Sequence, residues 1–190
     1  MREIIAKNSM LLKNDDWVQL RTMKAPEKKI NGYTYSHEIR CEGSIVAFLP
    51  FRRENNDFWF LLRKEAVPCW ELDTPILCSF TGGVDKDSEP YKTFINELRE
   101  EAGYILDSEE DANRLFDLST TYATKSTDSI FYLYAVDVTD FPKEKTKELY
   151  IETELEEAST NEWHEIGKLN EIKDPFVSQI VLRLICETKK

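Results

Sequence analysis

Apolar and polar positions alternate irregularly over the first third of the chain and then settle into longer runs. Residues 43–50 form a continuous apolar stretch ended by Pro50, and after the polar turn at 54–57 a second one follows at 58–63. Runs of this length with no polar face predict two central strands. Residues 70–80 read as a broken strand interrupted by Pro75, with a turn starting at Thr81-Gly82-Gly83. The clearest helix comes next. Ser88 is placed to cap it, Pro90 falls in its first turn, and Tyr91, Phe94, Ile95, Leu98 and Ala102 share one face at helical period before Gly103 stops it. Residues 108–116 predict a short helix capped by Ser108. Strands are expected at 129–138 and 161–166, and a last helix is capped by Asp174, with Val177, Ile180, Val181, Leu184 and Ile185 as its apolar face.

Residues 1–37 mix short apolar runs with Lys-rich turns, which predicts a hairpin or irregular N-terminal extension. No repeat or Gly/Pro-rich linker divides the rest, so residues 38–190 read as one domain. Strands dominate and helices pack outside them, an α+β arrangement around a mixed sheet.

Composition narrows the classes. The chain has 190 residues, 41% of them hydrophobic, enough for a full core. Its net charge of −11 lies wholly in the second half: residues 1–95 carry 14 acids and 14 bases, residues 96–190 carry 22 and 11. No basic stripe is longer than a Lys or Arg pair, which argues against nucleic acid as the main partner. No apolar stretch approaches the roughly 20 residues that span a bilayer, and the start lacks the apolar core of a secretory signal. A soluble, cytoplasmic protein is expected. Cys41, Cys69, Cys78 and Cys186 lack metal-knuckle spacing and, with only two histidines in the chain, read as free thiols.

The charge also points to chemistry. On the helix that buries Leu98, Glu97, Glu100 and Glu101 stand at i, i+3 and i+4 and share the opposite face. Like charges so spaced cost about 0.2–0.5 kcal/mol per pair, and a hard divalent cation such as Mg²⁺ would neutralise them. A solvated acidic face is the plainer alternative for the helix taken alone.

Read from Gly82 to Tyr104, the segment resembles the Nudix box, G-x5-E-x7-R-E-U-x-E-E-x-G-U with U apolar. Gly82, Glu97, Leu98, Glu100, Glu101, Gly103 and Tyr104 match without a gap; Ser88 replaces the first Glu and Asn96 the Arg. Outside the box the resemblance covers about residues 39–188, closest to the ADP-ribose and nucleoside-diphosphate-sugar pyrophosphatase branch. It implies a Nudix-type α/β/α sandwich, with a mixed sheet between helices, and a pyrophosphohydrolase that cleaves a nucleoside diphosphate linked to another moiety.

By the same resemblance Glu97, Glu100, Glu101 and the carbonyl of Thr81 are expected to bind Mg²⁺ or Mn²⁺. Glu100 and Glu101, with Glu156 or Glu157 from the acidic stretch at 148–165, are the candidates for activating water. Arg63, Gly82 and Gly83 are the expected substrate contacts, the glycines because they allow close backbone approach. Trp70, Phe80 and Tyr122 would stack on a base or, more simply, fill the core, and His164 reads as a surface or supporting residue. The partner is a small nucleotide substrate. Many relatives dimerise through an N-terminal segment, and residues 1–37 do not decide whether this chain forms a homodimer. Ser88 and Asn96 keep a second reading open, a catalytically silent Nudix fold that senses a nucleotide: asparagine offers neutral hydrogen bonds where arginine gives a charged, forked contact.

Overall fold

The computed structural model describes residues 9–14, 17–55, 57–67, 69–71, 74–142 and 159–189. The N-terminal extension is neither a simple hairpin nor irregular. Strands β1 (Ser9–Asn14), β2 (Val18–Ala25) and β3 (Ile30–Glu38) form an antiparallel three-stranded sheet of their own. Its last strand is tied to the body of the protein where the Ser36 N–H donates to the Ser126 carbonyl at 2.8 Å and His37 Nδ1 lies 2.9 Å from Asp128 Oδ2.

The main sheet is mixed. Its strands are β4 (Ser44–Glu54), β5 (Asp57–Glu65), β6 (Ile76–Cys78), β7 (Phe80–Gly83), β8 (Leu115–Tyr122), β9 (Ile130–Asp137) and β10 (Thr160–Glu165). The central order is β10-β5-β4-β9-β8, with β6 on β5 and β7 on β4. Only β4 and β9 run parallel.

Proline does not end β4, contrary to the expectation for residues 43–50; the strand runs through Pro50 to Glu54. The register explains this. Residues 45–48 pair with β7 and residues 51–54 with β5, so Pro50 sits where one antiparallel partner gives way to the other. There its missing N–H breaks no ladder bond on that side. Leu115 and Phe116, expected at the end of a short helix, instead open β8, a strand the pattern did not announce; the helix itself, α2, is Glu109–Ala112 with a capping box on Ser108.

Both faces of the sheet are covered, as the apolar run of β4 requires. Successive residues point to opposite sides. Ala47, Leu49 and Phe51 meet Val177, Ile180, Val181 and Leu184 of the C-terminal helix α3 (Pro175–Thr188). Val46 and Phe48 meet Phe94 and Leu98 of α1 (Pro90–Glu101). Phe94 fills its slot edge-on to Phe48, ring centroids 5.2 Å apart, and stacks on Tyr134 at 4.8 Å. Tyr91, expected on the buried face, is 43% exposed, so burial begins one turn later. The helix starts at Pro90 with Glu89, not Ser88, at the N-cap, and Glu89 makes no side-chain cap bond. It ends as expected: Gly103 takes φ +79°, and the Tyr104 N–H returns to the Leu98 carbonyl at 3.2 Å.

Among the described residues no helix is long and apolar enough to cross a membrane. All four cysteines are free, Cys41 and Cys78 buried, Cys69 and Cys186 exposed.

Candidate active site

Strand β7 and helix α1 bring the box glycine against the box glutamates. Gly82 is buried on β7, with exposed Thr81 and Gly83 on either side. A Cβ built on Gly82 would lie 2.5 Å from both Cγ and Cδ of Glu97, so only glycine lets the Glu97 side chain lie on the strand backbone. Its neighbour Gly83 is less constrained; a Cβ there would meet Cys41 Cβ at 3.2 Å.

Glu101, one turn further along α1, is gripped from the sheet. Arg63 on β5 is 6% exposed; its Nη2 lies 3.5 Å from Glu101 Oε1 and its Nε donates to Glu65 Oε2 at 3.2 Å. Asn161 stands opposite Arg63 in the β10–β5 register, and its Nδ2 donates to the Glu101 backbone carbonyl at 2.8 Å. Arg63, expected as a substrate contact, thus lies behind the glutamates with its guanidinium between two carboxylates. Glu100 points elsewhere. Its Oε1 accepts from Arg99 Nη2 at 3.0 Å in a largely exposed pair.

The three glutamates are therefore not preassembled. Among the described residues no three His, Cys, Asp or Glu side chains converge as a metal cluster. The physical reason is that each has a different neighbour: Glu97 lies on Gly82, Glu100 pairs with Arg99 and Glu101 with Arg63. The donor chemistry still suits Mg²⁺, which is commonly held by one or two carboxylates plus substrate phosphates and water rather than by an all-protein cage. Glu97, seated on Gly82, and Glu101, four residues on, are the two carboxylates that would offer such a donor set. The buried Asn161 Oδ1 has no hydrogen-bond partner, so an acceptor for an ordered water stands next to Glu101. Ser88 is half-buried before the helix and Asn96 is exposed on it. Glu156 and Glu157 lie outside the described residues.

Thr81, Gly82 and Gly83, expected to begin a turn, continue β7 because they pair with Ala47, Val46 and Ile45 of β4; a cavity of about 330 Å³ opens beside them, with all three on one wall. Its other walls mix apolar rings and carboxylates: Trp70, Phe131 and Phe176, with Glu65 and Asp174. Trp70 is 50% exposed, available as a stacking surface and not part of the core. Phe80 is fully buried in the core, and Tyr122 is 55% exposed away from it. Asp174 is the N-cap of α3, accepting from the Phe176 N–H at 2.8 Å. Its other oxygen accepts from both the N–H and Oγ of Ser79 at 2.6 Å, so it also pins the segment that enters β7.

Burial sets the charge states here. It pushes the Glu65 carboxyl above its ordinary range, against the lowering by Arg63. It lifts the Cys78 thiol to about 12, helped by the nearby charges of Asp174 and Glu65. His164, 21% exposed and 3.5 Å from Glu162, is a partner of that acid on β10. Asn161, Glu65 and the cavity role of Asp174 are not legible as site residues in sequence. The single available signal is a polar residue pointing inward from a strand.

No family model matches the chain, and no curated protein matches it. Among solved structures it resembles one titled "Crystal structure of ADP compounds hydrolase", with a TM-score of 0.61, 13% identity, and coverage of 96% of this chain and 92% of that one. At that identity the likeness concerns the fold. A mixed α+β sheet between helices, with a glycine-ended strand feeding an acidic helix, is a Nudix-like fold.

Proposed function

We propose that the protein is a metal-dependent pyrophosphohydrolase that cleaves a nucleoside diphosphate linked to another moiety, of the ADP-ribose or nucleotide-sugar kind. The observation that carries this reading is the seat of Glu97 on Gly82, with Glu101 one turn on and a cavity opening at the same glycines. Glu97, Glu101 and the Thr81 carbonyl would hold Mg²⁺ or Mn²⁺. When bound, such an ion neutralises phosphate charge and makes the attacking water more acidic.

The chain's own groups do the rest. The pyrophosphate would lie along the Thr81–Gly83 wall of the cavity, and the rest of the cavity receives the attached group. Its walls carry Glu38, Glu65 and Asp174 beside Arg40, with Trp70 as a stacking surface, a mixed lining that suits a polar attached group such as a sugar. Glu100, whose pair with Arg99 is largely exposed, is the one of the three helix glutamates best placed to turn toward water.

Purified protein incubated with Mg²⁺ or Mn²⁺ and a panel of ADP-ribose, nucleotide sugars, dinucleotides and nucleoside triphosphates should release a nucleoside monophosphate from the first classes. No product from any of them would end the proposal. Glu101→Gln should reduce kcat by about 10²-fold or more; wild-type turnover in that variant would remove the metal-site assignment.

A second reading has its own support. Ser88, Asn96 and the separated glutamates suit a silent nucleotide sensor, for which thermal stabilisation by nucleotide without turnover is the signature. We also propose a homodimer through the N-terminal sheet, where Met10, Leu11, Leu12, Val18 and Leu20 are each more than 40% exposed. Light scattering on the intact chain tests it, and a monomer at micromolar concentration would refute it.

A further inference from the structure

The Nudix box carries an arginine at the position of Asn96, and this chain has none there. Asn96 is exposed on α1 and supplies no charge. Among the described residues, the buried guanidinium that reaches these glutamates comes from another element. Arg63 stands on β5 between β6 and β10, opposite Cys78 on one side and Asn161 on the other, so strand pairing fixes its backbone from both edges. Its side chain is braced by Glu65 and reaches Glu101. Asn161 takes the backbone carbonyl of the same residue.

Resting on the function proposed above, we infer that Arg63 is a positioning residue: from β5 it sets the orientation of the Glu101 carboxylate. Two contacts from neighbouring strands, one on the side chain and one on the carbonyl, hold the last residue of α1 where a lone helix end would fray. An ion pair between a nearly buried arginine and a carboxylate that is 18% exposed is also far less screened than the Arg99–Glu100 pair, whose partners are 45% and 38% exposed. Of Arg63 and Arg99, Arg63 is therefore the better placed to hold a carboxylate in one orientation.

The sheet origin of Arg63 has a further consequence. Glu65 lines the cavity and contacts the same guanidinium. A substrate group that displaces Glu65 would therefore be felt at Glu101 through one side chain.

The test has two arms. In metal-free protein, the Tm values of wild type, R63Q, E101Q and R63Q/E101Q form a double-mutant cycle. The expected result is strong non-additivity, the double variant losing little more than the worse single one; additive losses would overturn the contact. In turnover, R63Q should lower kcat about tenfold or more with KM changed less than about threefold, and R63K, which keeps the charge but not the fork, should fall between. A raised KM at unchanged kcat would make Arg63 a substrate contact and overturn the proposal. R63Q/N96R should not recover, because an arginine at 96 faces Glu100 at i+4; recovery to the wild-type rate would show that only general charge is needed, against the positioning role. R63K serves both arms if R63Q does not fold. If wild type turns over nothing, the functional reading has failed, and the metal-free cycle alone decides whether Arg63 holds Glu101.

Discussion

Replacing Gly82 by alanine would place a Cβ 2.5 Å from Cγ and Cδ of Glu97, about 1 Å inside the ordinary carbon contact distance of ~3.5–4.0 Å. The backbone itself does not object, since Gly82 is not among the glycines with positive φ. The whole conflict falls on Glu97, whose flexible outer atoms can move aside. Forcing it from its preferred rotamer costs about 0.5–1.5 kcal/mol. For a chain of this size each kcal/mol moves Tm by about 2–4 °C, so G82A should lower Tm by only about 1–6 °C. Activity should suffer much more, because a catalytic group displaced by about 1 Å costs on the order of 10²-fold in rate. Differential scanning calorimetry and steady-state kinetics on the best substrate of the panel measure the two effects side by side. The E97A background supplies the control: it removes the three atoms nearest to the added methyl, and G82A/E97A should melt close to E97A. The reasoning fails if G82A keeps full activity, or if the methyl lowers Tm as much without Glu97 as with it.

Other consequences can be checked independently. Asp174→Ala removes a helix cap and leaves the Ser79 hydroxyl and two N–H groups without their acceptor; the loss should be about 2–4 kcal/mol, read by urea unfolding, with Asp174→Asn losing roughly half. With its thiol at about 12, Cys78 stays protonated at pH 8 and, being buried, should resist a disulfide reagent, as should buried Cys41. Two fast thiols, from Cys69 and Cys186, and two released only on unfolding are expected; four fast thiols would contradict the burial. Phe94→Ala, which empties a slot between Phe48 and Tyr134, should cost about 3–5 kcal/mol, and a smaller loss would mean that the α1 face of the sheet is poorly packed.

Much of this architecture was legible because burial writes itself into periodicity. The apolar face of α1, its Gly103 stop, the Asp174 cap and the central strands all follow from local spacing. Three features were not, and each fails for a physical reason. Pro50 reads as a strand end unless one knows that β4 exchanges partners at that residue, which is a fact of sheet order. β8 alternates weakly because its edge position leaves Asp117, Ser119 and Thr120 facing solvent. The clamp on Glu101 joins residues 63, 101 and 161, brought together only by the β5–β10 pairing. The three glutamates were singled out by their spacing, but helical spacing does not fix a shared target, and each side chain meets a different neighbour.

That last distinction bears on the acidic second half. Three carboxylates on one helix face repel one another, and in this chain the repulsion is met by separating them: one onto a glycine, one to its neighbouring arginine, one to an arginine from the sheet. So arranged, the carboxylates need no cation to relieve their repulsion, because each has a protein neighbour. Under the function proposed above, Glu97 and Glu101 would meet a cation where they stand, and a third carboxylate would join them only by turning. The candidate is Glu100, whose exposed pair with Arg99 is the weakest of the set. Arg63 and Gly82 hold the other two in place, so the arrangement divides the helix into a fixed pair, Glu97 and Glu101, and a mobile third acid. Asn96 fits this division: an arginine at 96 would face Glu100 at i+4 and restrain the one glutamate that is free to turn.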